Sequence, residues 1–365
     1  MGDRTPSGAG EGGASVGGGP GRLVISFDFE LFWGVRDSTT LERYGPNILG
    51  VREAIPRLLE TFERHGIRAT WGTVGLLFFD DRDELLAHLP EVRPEYADRR
   101  LSPFAAIRDI GPDEKRDPYH FGLSLIRKIL ACPGQEIGTH TFSHYYCLEA
   151  GQDEAAFRAD LGAARRAAER IGVQLRSITF PRHQINDGYL GACRELGLIA
   201  YRGQPRSWMH DPYGRRMPLR RALRLADSYV AVSGHEGGRA RRGPGGMIDV
   251  PASRFLRPFT PRLAPLENLR LRRLTGEMRR AAQGGAIYHL WWHPHNFGLN
   301  MDANFAVLDR LVATFRELAL EHGMQTSTMA EVAAPVAAPE GAGAGDTAAT
   351  AGPGDARAAG AGAGA

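Results

Sequence analysis

Cysteine is scarce in this chain. Its 365 residues include only three, Cys132, Cys147 and Cys193, and no two of them form a CxxC pair. An odd number of widely spaced cysteines does not make a disulfide framework or a zinc knuckle, and it is typical of a reducing compartment.

Long apolar runs are absent as well. No stretch reaches the roughly 18 consecutive apolar residues of a membrane span, and the first 20 residues contain no apolar segment of the secretory type. The formal net charge is only +3, which gives no reason to expect a nucleic-acid partner. We therefore expect no membrane span, no nucleic acid and a cytoplasmic location.

Both ends of the chain lack the large side chains that anchor a fold. Residues 1–20 are rich in Gly and Ser, and residues 334–365 are mostly Ala, Gly and Pro. Such segments bury too little apolar surface to offset the entropy of ordering them. We predict a disordered leader over 1–20, a disordered tail over 334–365 and one folded domain over 21–333.

Between those ends, short apolar segments alternate with amphipathic stretches. One of these stretches, VREAIPRLLETFERHG (51–66), predicts a helix that ends at Gly66. The segments that resemble strands are LVISF (23–27), RATWGTV (68–74), EIGTH (136–140), SITF (177–180), GLIAYRG (197–203), SYVAVSG (228–234), GMIDVP (246–251) and AIYHLWW (286–292). Alternating strands and helices indicate right-handed βαβ units and a mainly parallel sheet. Seven or eight such strands favour an α/β barrel, and the strand-free insertion 80–120 favours a lid or a substrate-shaping loop.

Ionisable residues recur just after four of these strands. In an α/β barrel the carboxyl ends of the strands meet on one face, where catalytic residues lie. Their shared position therefore predicts one active site. The residues are Asp28, Glu30, His140, His144, Arg182, His183, His293 and His295.

The strongest local signal is HTFSH, residues 140–144. His140 and His144 are four residues apart, which places both rings on one face if the segment forms a helical turn. Two imidazoles so placed reach one cation, and a carboxylate from another strand supplies a third ligand. With three protein ligands, the metal keeps coordination positions open for water, as in catalytic metal sites. We predict a divalent metal at these histidines.

Asp28 and Glu30 lie in the otherwise apolar run ISFDFELFWG, residues 25–34. Burying a carboxylate is unfavourable unless it is paired, hydrogen-bonded or bound to a metal. Residues two apart in a strand face the same side, so both carboxylates enter one site if the strand continues to Glu30. One of them then binds the metal and the other accepts a proton from water.

The last strand leads into HLWWHPHNFG, residues 289–298. His293 directly precedes a proline at the strand end and is the first candidate for a general acid. His295 is an alternative for that role. His289 lies inside the apolar strand, and we predict that it is a hydrogen-bonded core histidine.

Indole rings often stack on sugar rings. Trp33, Trp291 and Trp292 are therefore candidate substrate contacts, together with His295. Arg182, in FPRHQ, offers a guanidinium that holds a carboxylate or binds an anion.

This set of motifs resembles the polysaccharide deacetylases, the NodB-homology carbohydrate esterases. The shared features are the acidic strand end, HTFSH, the arginine-containing strand end and the late Trp-His motif, and they span about residues 21–333. The resemblance implies a distorted (β/α) barrel of about seven parallel strands and a divalent metal, with zinc as the first expectation. It implies hydrolysis of an N-acetyl group on an amino sugar.

The resemblance also implies roles for individual residues. His140 and His144 match the metal-binding histidines of the family. Asp28 matches the general base, Arg182 matches the arginine that orients this base, and His293 matches the general acid.

The chain departs from the family at Phe29, which stands where the third metal ligand, an aspartate, is usual. Either Glu30 binds the metal and Asp28 is the base, or Asp28 binds the metal and Glu30 is the base. We take the first division as our expectation.

The substrate that these features favour is an amino sugar in a glycan or glycoconjugate precursor, linked to a lipid or a nucleotide. Arg239, Arg241 and Arg242 are candidates to meet its phosphate, although a solvated basic loop is the simpler interpretation. Two other functions stay open: hydrolysis of another amide or of a cyclic ureide, as in an allantoinase, and glycan binding without catalysis.

Overall fold

The computed structural model describes residues 19–204, 223, 225–229 and 237–337. Within these ranges ten strands form one sheet. The strands are β1 (Arg22–Phe29), β2 (Ala69–Thr73), β3 (Gln135–Thr139), β4 (Ser177–Ile178), β5 (Ala200–Gly203), β6 (Arg241–Arg242), β7 (Ile248–Pro251), β8 (Arg254–Phe255), β9 (Ile287–Trp292) and β10 (Gln325–Ser327).

The strand order is β6-β7-β5-β4-β3-β2-β1-β9-β8, with β10 beside the first half of β1. Every pairing is parallel except that of β6 with β7. The chain passes directly from β7, which pairs with β5, to β8, which pairs with β9. Gly238 adds a single bridge to Ile287. These few bonds bring the two edges together, so the sheet curls into a distorted α/β barrel, as predicted.

Eight α-helices have both of their ends within the described ranges. They are α1 (Leu41–His65), α2 (Arg82–Ala87), α3 (Leu123–Ala131), α4 (Glu154–Glu169), α5 (Leu190–Glu195), α6 (Glu267–Gln283), α7 (Met301–His322) and α8 (Met329–Ala337). The predicted helix over 51–66 begins ten residues earlier, at Leu41, because Ile48 and Val51 extend its buried stripe. It ends, as expected, at Gly66, whose φ of 63° suits a left-handed C-cap.

Seven predicted strands are confirmed within a few residues. The short strands β6, β8 and β10 were not predicted, because two or three residues carry no periodic signal. Of the predicted strand 228–234, residues 228 and 229 form a turn and the rest lies outside the described residues. The leader over 1–18 and the tail from 338 also lie outside them, and α8 continues four residues past 333.

β1 shows the predicted alternation of faces. Phe27 points to the helical layer, where its ring stacks on Trp71 at 3.9 Å between centroids and meets Phe62 of α1. Ser26 and Asp28 point the other way, into the barrel, and both are buried. The strand therefore delivers polar groups to the inside of the barrel while it buries aromatic rings outside.

The insertion 80–120 packs outside the loop that follows β1. Its His120 carbonyl accepts a hydrogen bond from Trp33 Nε1 at 2.7 Å, and its Arg100 carbonyl accepts one from Arg36 at 2.7 Å. None of the described residues that line the central cavity belongs to this insertion. The expectation of a lid or a substrate-shaping loop stays a prediction; in the described structure the insertion supports the loop that carries Glu30.

Helix α8 covers the barrel end where the strands begin. Met329 and Val332 pack there against Val24, Ile248 and Ile287, which lie near the starts of their strands. Arg68 and Glu331 pair beside this helix, with Nε 2.8 Å from Oε2. In the described ranges no helix is both long and apolar enough to cross a bilayer.

Candidate metal centre and active site

The main cavity opens where the parallel strands end. It has a volume of about 320 Å³. Strand-end residues form one of its walls, which confirms that the predicted groups meet on one face. This wall contains Asp28, Glu30, His140, His144, Trp291 and His293.

Glu30 stands at the centre of this wall. Its Oε2 lies 3.3 Å from His140 Nε2 and 3.1 Å from His144 Nε2, and all three side chains are buried. β1 ends at Phe29, so Glu30 is the first residue of the following turn. Glu30, rather than Asp28, is therefore the carboxylate between the two histidines.

HTFSH does not form the helical turn that its spacing suggested. Residues 140–144 form an irregular loop after β3, with Thr141 at φ 64° and His144 at φ 58°. Helix α4 holds this loop through Asp160, which accepts hydrogen bonds from Phe142 N at 2.7 Å and Ser143 N at 3.1 Å. The two rings still converge, with centroids 5.0 Å apart.

Hydrogen bonds fix which nitrogen of His140 faces the cavity. Nδ1 lies 2.7 Å from the Thr179 carbonyl oxygen, which only accepts, so Nδ1 carries a proton and Nε2 is the nitrogen that faces Glu30. Thr179 reaches this place because Gly72 opposite has no side chain; a Cβ there would overlap Thr179 Oγ1. Burial lowers the pKa of His144 below its ordinary value, although the neighbouring Glu30 carboxylate opposes this change.

The three side chains fit a divalent metal. Their ligand atoms all lie within 4.8 Å of one another. Two imidazoles and a carboxylate are a donor set that suits zinc and several other divalent transition metals. His144 Nδ1 and Asp28 Oδ1 are buried and have no hydrogen-bond partner among the described residues. Glu30 also forms a second such group with His293 and His295, whose ligand atoms likewise lie within 4.8 Å of one another.

Arg202 is a site residue that the sequence reasoning missed. It lies on β5, its side chain is fully buried, and its guanidinium donates to Asp28 Oδ2 at 2.8 Å. It also donates to Ser26 Oγ at 3.2 Å. Burial raises the pKa of Asp28, but Arg202, His140 and His293 together hold it well below the ordinary value. The strand-end rule would have found Arg202, which lies near the end of the predicted strand GLIAYRG.

Arg182, which the resemblance placed beside Asp28, is bound elsewhere. It pairs with Asp37, a buried carboxylate that also accepts a hydrogen bond from Tyr146 at 3.0 Å. The Arg182 guanidinium stacks over the Tyr146 ring, 4.5 Å from its centroid, and lines the cavity. The expectation that Arg182 orients Asp28 is therefore wrong in this structure.

His293 is placed as predicted. Its Nε2 lies 3.6 Å from Glu30 Oε1 and 3.8 Å from Asp28 Oδ2, and its ring is partly exposed to the cavity. His295 stacks on it, with centroids 4.8 Å apart, but is buried, and burial lowers its pKa to about 3. His289 is a buried core histidine hydrogen-bonded to Ser26 Oγ at 2.8 Å, as predicted.

Only one of the three candidate tryptophans reaches the cavity. Trp291 lines it, with the Arg202 guanidinium 4.4 Å from its centroid. Trp33 and Trp292 are 1% and 0% exposed. Trp33 donates a hydrogen bond to the insertion. The Trp292 ring packs against Phe27 in the helical layer, with centroids 4.4 Å apart. The prediction that Trp33 and Trp292 contact the substrate is therefore wrong. Adjacent residues of a strand face opposite sides of the sheet, so Trp292 points away from the cavity that Trp291 lines.

Gly34 gives a direct test of the position of Glu30. A Cβ at Gly34 would overlap the Glu30 carboxylate. We expect Gly34→Ala to displace this carboxylate and to weaken metal binding by about tenfold or more, measured by competition with a metal indicator. Gly191→Ala is the matched control, because a Cβ there meets nothing within 4 Å. Equal metal affinity in both variants would contradict the assigned position of Glu30.

Asp160 gives the loop of residues 140–144 a distinctive pH dependence. Burial raises the pKa of Asp160 to about 7, although hydrogen bonds from Ser143 and Phe142 oppose the rise. Above pH 3.8, the ordinary pKa of this group, the unfolded state has lost the Asp160 proton, whereas the folded state still binds it. The stabilisation is complete below that value and is lost as the pH rises through about 7.

We expect the free energy of unfolding to fall by up to about 1.4 kcal/mol per pH unit over this range. Asp160→Asn should flatten the slope between pH 5 and 7. Urea unfolding of chelator-treated protein at several pH values measures it. Parallel curves for the parent and the variant would disprove the assignment.

Comparison with known proteins identifies the fold. No family model matches the sequence, and no curated protein matches it. Among solved structures, a Mycobacterium smegmatis protein assigned as a polysaccharide deacetylase has a TM-score of 0.54 at 15% identity, covering 87% of this chain and 91% of that one. Puue allantoinase has a TM-score of 0.51 at 11% identity, covering 86% and 88%. The α-amylase AmyC from Thermotoga maritima has a TM-score of 0.51 at 11% identity, covering 86% and 74%.

At such identities the likeness concerns the fold alone. The chain has the α/β barrel of the NodB-type polysaccharide deacetylases, as the resemblance implied. The same architecture occurs in proteins named for other reactions, so the function has to be argued from the site.

Proposed function

We propose that this protein is a metal-dependent hydrolase that removes an N-acetyl group from an amino sugar. The observation that carries the proposal is the buried Glu30 carboxylate between the Nε2 atoms of His140 and His144. Beside it, in the same cavity, lie an ionised carboxylate, Asp28, and a partly exposed imidazole, His293.

In this proposal Glu30, His140 and His144 hold a divalent metal, with zinc as the first candidate. The bound ion supplies Lewis acidity, which lowers the pKa of water and polarises an amide carbonyl. The protein prepares this site by binding His140 Nδ1 through the Thr179 carbonyl and by lowering the pKa of His144 through burial.

Asp28 is the proposed proton acceptor. Arg202 binds its Oδ2 and keeps the carboxyl group ionised, while Oδ1 has no donor in the described structure and is the oxygen that takes the proton. Because a buried carboxylate with a strongly lowered pKa is a weak base, its function depends on a strongly acidified water.

His293 is the proposed general acid. Its Nδ1 lies 3.3 Å from Asn296 Oδ1, so the ring is oriented with Nε2 toward the two carboxylates. A protonated Nε2 at that place gives its proton to the departing amine, and the products are acetate and a free amino sugar. Trp291 provides an aromatic wall for the sugar ring.

The test is a measurement of acetate release from N-acetylated sugars by metal-loaded protein, with metal content determined in parallel. We expect one ion per chain and acetate release that stops on chelation. Ring opening of a cyclic ureide without acetate release would favour the alternative hydrolase. Sugar binding without metal or turnover would favour a glycan-binding barrel.

Two ions per chain would contradict the role of His293. In that case the group Glu30, His293 and His295 would hold the second ion, and His293 would have no free nitrogen to protonate the amine. The identity of the metal and the cytoplasmic location stay predictions.

A further inference from the structure

Arg202, and not a loop arginine, makes the contact on which the proposed proton acceptor depends. Its guanidinium donates to Asp28 Oδ2 at 2.8 Å. Arg239, Arg241 and Arg242, which the sequence suggested as phosphate contacts, do not line the cavity. The position of Arg202 therefore decides how Asp28 is presented to water.

The Arg202 side chain crosses the inside of the barrel. It starts from β5, which β4, β3 and β2 separate from β1 in the sheet, and it reaches Ser26 and Asp28 on the inner face of β1. Trp291 lies over the guanidinium, with Arg202 Cζ 4.4 Å from the ring centroid. Trp291 lines the cavity and Arg202 does not, so a ligand in the cavity contacts the indole rather than the guanidinium.

Ser26 connects Arg202 to His289, a histidine that the proposed reaction does not use. Ser26 Oγ lies 3.2 Å from Arg202 Nη1 and 2.8 Å from His289 Nε2, and both Ser26 and His289 are 0% exposed. The backbone of His289 is fixed by Ser253, whose Oγ accepts a hydrogen bond from His289 N at 3.0 Å and whose N donates to the His289 carbonyl at 2.8 Å. Three strands, β5, β1 and β9, thus contribute one residue each to a buried series, Arg202–Ser26–His289.

The chemistry of the three groups sets the direction of these hydrogen bonds. A guanidinium only donates, so Ser26 Oγ accepts from Arg202 and its own proton is left for His289 Nε2. Burial lowers the pKa of His289 to about 3, so near pH 7 the ring is neutral and offers one nitrogen as an acceptor. Arg202 therefore donates to Ser26, and Ser26 donates to His289.

We propose that Ser26 and His289 are positioning residues, which hold the Arg202 guanidinium on Oδ2 of Asp28 and leave Oδ1 to take the proton from water. This inference rests on the proposed function for the role of Asp28. Arginine commonly binds both oxygens of a carboxylate. A guanidinium released from Ser26 can turn toward Oδ1, which has no hydrogen-bond partner in the described structure, and Asp28 then loses the lone pair that accepts the proton.

The first experiment measures kcat and KM for acetate release by metal-loaded Ser26→Ala and His289→Leu. We expect kcat to fall about tenfold or more in each, because a small misplacement of a reacting group is enough for such a loss. KM should stay unchanged, since neither residue lines the cavity. His289→Gln should recover most of the rate, because the glutamine Oε1 can accept from Ser26 in place of Nε2.

The double variant Ser26→Ala/His289→Leu tests whether the two residues act through one series. Its kcat should equal that of the slower single variant, because either substitution already breaks the series. Ser177→Ala is the matched control. It removes an equally buried hydroxyl, which donates to Glu136 at 2.5 Å, and it should keep the kcat of the parent.

Three results would overturn the inference. Losses of kcat that multiply in the double variant would mean that the residues act independently. A His289→Gln variant no faster than His289→Leu would remove the role of Nε2. Variants that unfold at lower urea concentration but keep the kcat of the parent would show that the series only stabilises the barrel.

Nitrogen NMR spectra of protein with isotope-labelled histidine examine the same series without turnover. We expect the His289 ring to carry its proton on Nδ1, with an unprotonated Nε2 whose signal shifts in Ser26→Ala and is absent from His289→Gln. A proton on Nε2 would contradict the inferred direction and overturn the series. A parent that releases no acetate would contradict the proposed function instead, and the His289 tautomer would still decide whether Ser26 donates to this ring.

Discussion

Replacement of Glu30 by glutamine is expected to lower metal affinity by more than about 100-fold, because even the loss of a group that only supports a ligand costs 10- to 100-fold. The amide cannot supply the negative charge that lies between His140 and His144. Acetate release should fall below detection at ambient metal. Metal analysis after dialysis and single-turnover acetate release measure the two effects.

Glu53→Gln is the matched control, because Glu53 is exposed on α1 and the substitution makes the same chemical change. It should bind metal and release acetate like the parent. If Glu30→Gln kept stoichiometric metal while Asp28→Asn lost it, the two carboxylates would have the opposite roles. That result would restore the alternative division of labour that the sequence left open.

Replacement of Arg202 by methionine is expected to have the second large effect. It leaves the Asp28 carboxylate buried without its cation, which costs about 3–5 kcal/mol of stability. Because the pKa of Asp28 is lower in the folded state than in the unfolded state, the ionised group stabilises the fold at pH values above its ordinary pKa. This stabilisation is lost only as the pH falls through the pKa of the folded state. Without Arg202 the burial effect prevails and this pKa rises, so the acidic limb of kcat/KM should move to higher pH.

A double variant keeps this prediction testable if Arg202→Met folds poorly. Combining it with Asp28→Asn removes both charges, and the double variant should be more stable than Arg202→Met alone. Arg182→Met provides the contrast, because Arg182 pairs with Asp37. An acidic limb that moved in Arg182→Met and not in Arg202→Met would show that Arg182 orients Asp28 after all.

The fold was predictable because its signal is periodic. Apolar strands of four residues or more, such as 23–27 and 286–292, separated by amphipathic helices, define a parallel α/β barrel. The closure of the barrel was not predictable. It depends on β8 and on one bridge at Gly238, and neither has a pattern that local sequence reveals.

The site was predictable where residue type and strand position agree. His140, His144, Glu30, Asp28 and His293 meet as the sequence suggested, although HTFSH forms a loop with left-handed residues and not a helical turn. The errors concern contacts between strands distant in sequence. Arginine partners cannot be read from spacing, so Arg182 was placed where Arg202 lies. Trp33 and Trp292 were assigned to the cavity, although both rings are buried away from it.

Helix α8 has a practical consequence. It packs on the end of the barrel where the strands begin, and the described chain also starts there, just before Arg22. Both described ends of the barrel domain thus leave from the side opposite the cavity. A protein fused directly to residue 19 or to residue 337 would therefore be attached at the end of the barrel opposite the cavity.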